Sequence, residues 1–280
     1  MGLGGHLTWT AAIREIHKEH SIKVLPCEFD GAGNYVKPIE SEIFLNNPYC
    51  AKDNSEEVFF LPMNIPETNY CKADYPDRVI HRPDRHIIEQ ICEYYGIMNP
   101  ELKCDLFFSD EEMVNTVKLL DSLGDDFLVI EPYSKTNYTP NRVYPFEKWQ
   151  NIVDELSKHI EIVQVGNDEN YLLNGVTNLI GKTTFREAAC LIGYSHLLMS
   201  TESGLVHAAT SVGTTALSIV TGYQDPRMVN YPQNINVYIG THGPCGQKIP
   251  CIECRRDAEN HDEYKIVNIV WEYMNESGIC

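Results

Sequence analysis

Apolar residues recur at two different spacings in the first part of the chain, and the spacing separates helices from strands. Leu7, Ala11 and Ile16 follow a helical period, which predicts a helix from the opening glycines to about His20. Short apolar runs predict strands at 22–25, 43–45, 58–61 and 106–108, and each of the first three ends at a Pro or Asn. The segment 64–82 is rich in Pro, Asp and Tyr and predicts a long loop.

From about residue 123 onward, strand patterns and helix patterns alternate. The predicted strands are 127–130, 160–165, 197–199 and 215–220, and the predicted helices between them are 146–159, 184–194 and 203–212. Such alternation is typical of parallel βαβ units with right-handed crossovers. Parallel sheets bind ligands at the carboxyl ends of their strands, so the loops after Ile130, Val165, Met199 and Val220 are the candidate sites.

Composition restricts the function more than it restricts the fold. At 280 residues the chain is long enough for two domains, and its net charge of −18 argues against a nucleic-acid partner. No run of about 18 apolar residues predicts a membrane span, and the opening residues lack the pattern of a secretory signal. The ten cysteines are scattered, which favours reduced thiols and predicts a cytoplasmic protein.

The loop after the strand at 127–130 carries the first candidate phosphate contacts. Ser134 and Lys135 offer a hydroxyl and a cation next to backbone N–H groups, and Arg142 follows shortly before a helix. An arginine can bind a diphosphate through two parallel hydrogen bonds. The alternative is a solvated loop without a ligand.

The segment after the strand at 197–199 is more specific. Glu202, Ser203 and Gly204 stand at the start of a helix of small residues, whose free N–H groups suit a phosphate, and His207 lies in its first turns. The alternative is a capped core helix with a satisfied histidine. Lys182 and Thr183 precede another helix start, where a plain capped helix is again the alternative.

Several of these segments together resemble glycosyltransferase family 9, the heptosyltransferases of lipopolysaccharide core assembly and their relatives. The segments are Gly2-Leu3-Gly4 before a helix, Arg142 to Trp149, Asn178 to Thr183, Glu202 to Ala209, and the cysteine-bearing loop from Pro244 to Arg255. They occur in the order and at the spacing of that family.

The resemblance implies a GT-B architecture, in which two Rossmann-like domains face each other across a cleft. It implies an N-terminal acceptor-side domain at 1–124 and a C-terminal nucleotide-sugar-binding domain at 125–280. The implied reaction is inverting transfer of a sugar, typically heptose from an ADP-heptose donor, to a glycan or glycolipid acceptor. No cofactor is expected, and association with a membrane surface is compatible with such an acceptor. Carried over by position, the donor-binding residues are Arg142, Glu202, Ser203, Gly204 and His207. Ser134, Lys135, Lys182 and Thr183 are expected to join them, since their loops lie at the same edge of the sheet.

The main departure from the family lies at the opening glycine turn. Where the family pattern Gly-Leu-Gly-Asp places its proposed catalytic base, this chain has Gly5, followed by His6. His6 is therefore the candidate base, since an imidazole titrates near neutral pH. The turn also starts at Met1 without a preceding strand, so we expect the first strand to be missing or the true start to lie upstream. The alternative function is a sugar-nucleotide-binding relative that has lost its base.

Three late cysteines raise the question of a metal. Cys245, Cys251 and Cys254, with His242 and His261 nearby, contain the ligand types of a zinc site. The spacing lacks a second Cys-x-x-Cys pair, and the family does not generally depend on a metal in this loop. We therefore expect no metal ligands, with zinc binding as the alternative.

Overall fold

The computed structural model describes residues 2–65, 71–75, 78–81, 84–133 and 135–279, and it contains helices and sheets in both halves of the chain. The helices are α1 Leu3–His20, α2 Ile87–Tyr94, α3 Asp110–Leu120, α4 Phe146–Leu156, α5 Phe185–Ile192, α6 Gly204–Val212, α7 Pro226–Val229, α8 Ile252–Asn260 and α9 Tyr264–Glu276. The strands are β1 Lys23–Phe29, β2 Tyr35–Pro38, β3 Val58–Pro62, β4 Cys71–Tyr75, β5 Arg78–His81, β6 Phe127–Glu131, β7 Glu161–Gln164, β8 Thr177–Asn178, β9 Leu198–Thr201, β10 Ala216–Val220 and β11 Ile235–Tyr238.

The second half is built on a six-stranded sheet with the order β11-β10-β9-β6-β7-β8. Every pair of neighbouring strands in it is parallel, as the alternating pattern predicts. Counted from β6, this is the strand order 3-2-1-4-5-6 of Rossmann folds, and the order reverses between β6 and β9. Loops that leave β6 and β9 diverge at this point and open a crevice, which is where such sheets bind ligands.

The first half has a smaller sheet with the order β2-β1-β3, in which β1 pairs antiparallel with β2 and parallel with β3. Three predictions for this half are wrong, namely the strand at 43–45, the loop at 64–82 and the strand at 106–108. Residues 43–45 are not a strand, because the hydroxyl of Ser41 caps a short 3-10 turn at Glu42–Phe44 that buries Ile43. The predicted loop at 64–82 contains the antiparallel pair β4 and β5.

The segment 106–108 is extended but is not a strand of any sheet in the described residues. Side chains hold its backbone instead, since the guanidinium of Arg186 donates to the carbonyl of Phe107 and the hydroxyl of Thr10 accepts from the N–H of Asp105. An apolar run in the sequence carries no information on whether a strand or a side chain satisfies its backbone.

Helix ends follow the sequence more closely. The capping boxes at Ser109 with Glu112 and at Thr184 with Glu187 are both formed. Gly213 ends α6 in the left-handed conformation with φ of 79°, which glycine adopts without a steric cost.

The main hydrophobic core includes side chains from both halves of the chain. It contains Leu7 and Ile13 of α1, Ile91 of α2, and Leu191 and Val206 of α5 and α6. α1 packs on α6, and α3 packs on α5. The division into domains at 1–124 and 125–280 remains a prediction, and across that line the two halves share one continuous core.

The described helices differ from membrane-spanning segments in length and composition. None of them is both long enough and apolar enough to cross a bilayer.

Candidate functional site

A cleft of about 1410 Å³ lies where the two halves meet, at the carboxyl ends of β6, β7 and β9. Its walls come from the start of α1, from the loops after β6 and β7, and from the starts of α5 and α6. Ligand pockets for single small molecules usually measure about 300–1,000 Å³. The cleft is therefore large enough for a nucleotide-sugar together with part of a second substrate.

Arg142 is the best-defined cation of the cleft. It ends the 3-10 turn Pro140–Arg142, whose start is capped by the hydroxyl of Thr139. Its Nη1 lies 3.3 Å from Oε1 of Glu202, and its guanidinium stacks over the rings of Tyr138 and Tyr223 at 5.4 and 5.6 Å. Only 20% of its side chain is exposed, so the guanidinium is held in place and directed into the cleft.

The segment after β9 presents backbone donors to the same cleft. Ser203 is the N-cap of α6, but its hydroxyl makes no cap hydrogen bond and instead lies 3.2 Å from the hydroxyl of Ser200. The first N–H groups of α6 therefore have no capping side chain and face the cleft at Ser203 and Gly204. Glu202 joins this segment to Arg142, and burial raises the pKa of its carboxyl while Arg142 lowers it. An anion fits at this helix start.

α1 brings a second helix start to the same place. Gly2 caps α1 without a side chain, and Gly2, Leu3, Gly4 and Gly5 line the cleft. A Cβ atom at Gly4 would lie 3.0 Å from Cα of Gly204 and 3.2 Å from the ring of His207. Glycine at this position is thus what allows the starts of α1 and α6 to approach each other, and both direct partial positive charge into the cleft.

Glu131 ends β6 on the floor of the cleft, between Lys135 and Ser203. The hydroxyl of Ser200 donates to the carbonyl of Glu131 at 2.9 Å and lies 3.5 Å from its Oε2. Burial raises the pKa of Glu131 to about 7, although Ser203, Ser200 and Lys135 lower it. The carboxyl therefore titrates near neutral pH, beside the positions predicted to hold phosphates.

The remaining predicted donor residues fall into three groups. Lys135 and Thr183 line the cleft. Ser134 lies outside the described residues. Lys182 is exposed, donates from Nζ to the carbonyl of Asn178 at 2.8 Å, and is not among the residues that line the cleft.

His207 lines the cleft from the second turn of α6. Its Nδ1 lies 2.7 Å from the hydroxyl of Tyr231, which is also 3.0 Å from the thiol of Cys104. Burial lowers the pKa of His207 to about 3, with His86 and Arg142 adding to the effect. His207 is therefore a neutral imidazole that can form hydrogen bonds with a ligand but brings no charge.

His6 lies on a different side of α1 from the cleft. Its Nδ1 is 2.8 Å from the hydroxyl of Ser41, and its ring stacks on Phe44 at 5.6 Å. Successive side chains on a helix are about 100° apart, so Gly5 lines the cleft while His6 turns toward the 3-10 turn. Burial lowers the pKa of His6, which favours the neutral imidazole.

Four metal-ligand side chains meet between the loop that follows β11 and the first turn of α8. One atom each of His242, Cys245, Cys251 and Cys254 lies within 4.8 Å of the other three, and all three cysteines are buried. Sγ of Cys254 is 3.3 Å from Sγ of Cys245 and 3.5 Å from Nε2 of His242. In a tetrahedral site with metal–sulfur bonds of about 2.3 Å, the sulfur atoms lie about 3.8 Å apart. The four donors are thus close to the spacing that a tetrahedral metal requires.

The surroundings of His242 select which of its nitrogens faces the thiols. Oδ2 of Asp257 lies 3.1 Å from Nδ1, and Thr241 donates to the same carboxylate through its N–H and its hydroxyl. A Cβ atom at Gly222 would lie 2.3 Å from the His242 ring, so only glycine leaves room for the ring there. A carboxylate on the far nitrogen is the usual support of a metal-bound histidine. His261, the other candidate histidine, instead pairs with the hydroxyl of Tyr144 at 2.9 Å.

Many of the residues that line the cleft were named from the sequence, and others were left without a role. Glu131 was passed over, although its position at the end of the first strand of a Rossmann sheet was the available signal. The turn after Val165 was a candidate site with no residue assigned in it, and Gly166, Asn167 and Asp168 of this turn line the cleft. Outside the cleft, His242 and the three cysteines were named but expected not to be metal ligands, because their spacing lacks a second Cys-x-x-Cys pair, whereas the fold brings all four together.

Comparisons with known proteins agree with this geometry. A family model described as glycosyltransferase family 9 (heptosyltransferase) matches residues 77–253, which is more than half of the chain. Comparison with curated proteins finds no significant match.

Solved structures with a similar fold include a glycosyltransferase family 9 protein from Veillonella parvula, with a TM-score of 0.55 and 13% identity over 70% of this chain and 62% of that one. They also include TibC from enterotoxigenic E. coli, an iron-containing dodecameric glycosyltransferase, with a TM-score of 0.58 and 15% identity over 88% and 64%. A TibC complex with ADP-D-beta-D-heptose gives a TM-score of 0.66 and 13% identity over 99% and 75%. The chain thus spans less than two thirds of the length of the first two. These likenesses establish the fold, which is the predicted GT-B arrangement of two Rossmann-like domains.

Proposed function

Because the chain belongs to glycosyltransferase family 9, we propose that it transfers a sugar from a nucleoside-diphosphate donor bound in the cleft to a glycan or glycolipid acceptor. The observation that carries this proposal is the convergence of Arg142 with the uncapped starts of α1 and α6 on one cavity. Each of these groups stabilises negative charge, and a nucleotide-sugar reacts by placing negative charge on its diphosphate.

In the proposed reaction the acceptor hydroxyl gives its proton to a base, and its oxygen forms a bond to the anomeric carbon. The bond from that carbon to the diphosphate oxygen breaks on the opposite face, so the configuration inverts. Arg142, Lys135 and the N–H groups at Gly204 take up the charge of the leaving diphosphate. Charge stabilised mainly in the transition state raises the rate and not merely the affinity.

The proposed donor is an ADP-activated heptose. TibC, the structural neighbour that covers most of this chain, is described in complex with ADP-D-beta-D-heptose. The volume of the cleft is sufficient for a donor of that size. Among the described residues, Asp168 and Glu202 supply acceptors for sugar or ribose hydroxyls at its walls.

The test is a calorimetric comparison of ADP-ribose, ADP-heptose and UDP-glucose, followed by donor turnover with and without acceptor glycans. We expect binding of the ADP compounds and transfer from ADP-heptose. Absence of binding by all three compounds to the folded protein would contradict the placement of the donor.

The identity of the base separates an enzyme from a binding protein. The alternative function is a sugar-nucleotide-binding relative without transfer activity, since Gly5 stands where the family has its Asp. His6 is the candidate base, and its neutral state suits that role, although its ring faces Ser41. If His6 is the base, His6→Gln abolishes transfer and leaves ADP-ribose affinity unchanged. Transfer at the original rate in this variant assigns the base to another residue, and no transfer by the unmodified protein favours the binding protein.

We also propose that His242, Cys245, Cys251 and Cys254 bind a transition metal through three thiolates and Nε2. The donor set and its spacing suit zinc or iron, and the TibC neighbour is described as iron-containing. Asp257 would orient the His242 ring, and the metal would hold the loop after β11 to the start of α8.

Metal content measured by inductively coupled plasma mass spectrometry tests this proposal and identifies the metal. Visible absorption bands from thiolate-to-iron charge transfer distinguish iron from colourless zinc. We expect about one metal per chain, and loss of the metal in Cys254→Ser. The control is Cys190→Ser, because Cys190 is buried in α5 outside the cluster. Equal metal in both variants would contradict the site.

A further inference from the structure

Asn141 connects the cysteine cluster to the donor-binding arginine. Its backbone immediately precedes Arg142 in the 3-10 turn, and only 6% of the residue is exposed. Its side-chain amide donates to the carbonyls of Gln247 and Ile249 at 2.7 and 2.8 Å. Its side-chain oxygen accepts from the N–H of Cys251 at 2.8 Å. All three of these partners belong to the segment 242–254, here termed the cysteine loop.

Two further hydrogen bonds place the same turn between the sheet and the cysteine loop. The hydroxyl of Thr139 donates to the carbonyl of Gln247 at 2.8 Å, and that of Thr221, after β10, donates to the carbonyl of Asn141 at 2.6 Å. Thr139, Asn141 and Thr221 are all buried. The main-chain position of Arg142 therefore depends on the conformation of the cysteine loop as well as on the contact with Thr221.

Every bond that Asn141 makes through its side chain is to backbone of the cysteine loop. Between β11 and α8 the described residues of this loop form no helix or strand. An isolated bridge between Gln247 and Arg78 and single hydrogen bonds to Gly222 and Tyr223 hold its backbone, and no continuous ladder does. Cys251, whose N–H donates one of the three bonds, is also a proposed metal ligand. A metal that fixes Cys245, Cys251 and Cys254 thus fixes the acceptors and the donor to which Asn141 binds.

We propose that Asn141 is a positioning residue that couples the metal site to the donor site, so that metal in the cysteine cluster increases the affinity of the cleft for the donor diphosphate. This inference rests on the proposed function, since it needs both the metal and the diphosphate at Arg142. Coupling between two sites is reciprocal, so a bound nucleotide also raises the affinity of the cysteine cluster for the metal by the same factor.

The experiment measures ADP-ribose affinity by calorimetry for the metal-loaded protein and for the same protein after treatment with a chelator, with circular dichroism confirming that both are folded. We expect removal of the metal to weaken ADP-ribose binding about tenfold, within the usual range of coupling between sites. In Asn141→Asp, which has the shape of Asn but repels the two carbonyls, we expect weaker binding and no further loss on metal removal. Metal content should stay at the level of the unmodified protein.

Asn151→Asp is the matched control. Asn151 lies in α4, and its side chain donates to Glu263, which is outside the cysteine loop. This variant should therefore retain the full effect of metal removal on ADP-ribose affinity. Asn141→Ala is a second variant, which separates loss of the hydrogen bonds from repulsion. If Asn141→Asp loses its fold, Asn141→Ala carries the same expectation. If removal of the metal unfolds the chain, the metal is partitioned at equilibrium between the loaded protein and a competing chelator. ADP-ribose should then raise the metal affinity about tenfold in the original chain but not in the Asn141 variants.

The outcomes distinguish this inference from the proposals beneath it. A protein that binds no metal contradicts the metal site, and one that binds metal but no ADP-ribose contradicts the donor site. Bound metal and bound ADP-ribose with equal affinities before and after metal removal overturn the coupling alone. Equal effects of metal removal in the Asn141 and Asn151 variants would also overturn it.

Discussion

Arg142 depends on its neighbours for the chemistry that it can perform. Its ion pair with Glu202 and its position over two tyrosine rings keep the guanidinium extended across the cleft. The five N–H donors of a guanidinium let it bind more than one acceptor at a time. At the residue scale the affinity of the cleft for a diphosphate therefore depends on a few side chains, and two of them give separate predictions.

Replacing Arg142 with Ala should weaken ADP-ribose binding by about 1.5–3 kcal/mol, which is about 10–150-fold. The reason is the loss of a charge-assisted hydrogen bond, together with an unpaired carboxylate at Glu202 close to the diphosphate. Calorimetry on the folded variant measures the change. The double variant Arg142→Ala with Glu202→Gln should recover part of the affinity, and unchanged affinity in Arg142→Ala would refute the role of the arginine.

Glu131 should make donor binding depend on pH. Because burial raises the pKa of Glu131 to about 7, its carboxyl is neutral below that pH and negative above it. A negative carboxyl repels the diphosphate, so ADP-ribose affinity should fall as pH rises through 7, by up to about tenfold between pH 6 and pH 8. ADP-ribose is a suitable probe, since neither of its phosphates changes charge in this range.

The charged and titratable groups that share this part of the cleft are Lys135, Arg142, Glu202, Asp168 and His207. His207, with its pKa lowered to about 3, does not titrate in the same window. Glu131→Gln should bind ADP-ribose with little dependence on pH, whereas Glu155→Gln, an exposed change on α4, should behave like the original protein. A pH dependence that persists in Glu131→Gln would assign it to another group.

At the scale of the elements, the contact between α1 and α6 places two helix starts in one cavity. The helices touch where Gly4 and Gly204 face each other, and no side chain at either position separates them. Because the two helix starts are this close, their partial positive charges add at the same place in the cleft. Larger residues at these positions would hold the helix starts apart and weaken the combined effect.

Replacing Gly4 with Ala should therefore push α1 and α6 apart by a few tenths of an ångström. The added Cβ would lie 3.0 Å from backbone of Gly204, which cannot rotate away. We expect destabilisation of about 1–3 kcal/mol and weaker ADP-ribose binding. Urea denaturation and calorimetry measure the two effects. Gly31→Ala is the control, since a Cβ there has no neighbour within 4 Å, and equal stability of both variants would contradict the close approach.

At the scale of the whole molecule, a buried arginine connects the two halves. Arg186 of α5 pairs with Glu112 of α3 and donates to the carbonyls of Glu42 and Phe107. Only 3% of its side chain is exposed. The cleft lies between these halves, so the contacts that hold them together also determine its shape.

Arg186→Met should lower the free energy of unfolding by about 3–5 kcal/mol at pH 7, as expected when one partner of a buried pair is removed. The hydrogen bond from Arg186 lowers the pKa of Glu112 to about 2. A lowered carboxyl pKa stabilises the fold fully above its unfolded value and progressively less as pH falls toward 2. The difference between Arg186→Met and the original protein should therefore shrink in acid.

Guanidinium chloride denaturation at pH 7 and at pH 3 measures both effects. Arg227→Met provides the comparison, because Arg227 is 82% exposed and pairs with Asp225 in its own turn. That change should cost less than about 1 kcal/mol. Equal losses for the two arginines would contradict a role of Arg186 in joining the halves.

The sequence by itself determined the features that depend on nearby residues. The alternation from 123 onward predicted the parallel sheet, and Ser109 and Thr184 predicted two capped helix starts, because periodicity and capping act within a few residues. It also placed Arg142, Glu202 and Gly204 in the same region, because parallel strands end at one edge of their sheet.

Tertiary structure decided what depends on distant partners. The segment 106–108 is held by Arg186, His6 faces Ser41 while Gly5 faces the cleft, and burial gives Glu131 its raised pKa. His242 lies beside three cysteines, and the side chain of Asn141 hydrogen-bonds to the cysteine loop, which is more than one hundred residues away in the sequence. Hydrogen bonds and burial between such distant residues follow from packing, and no local period in the sequence records them.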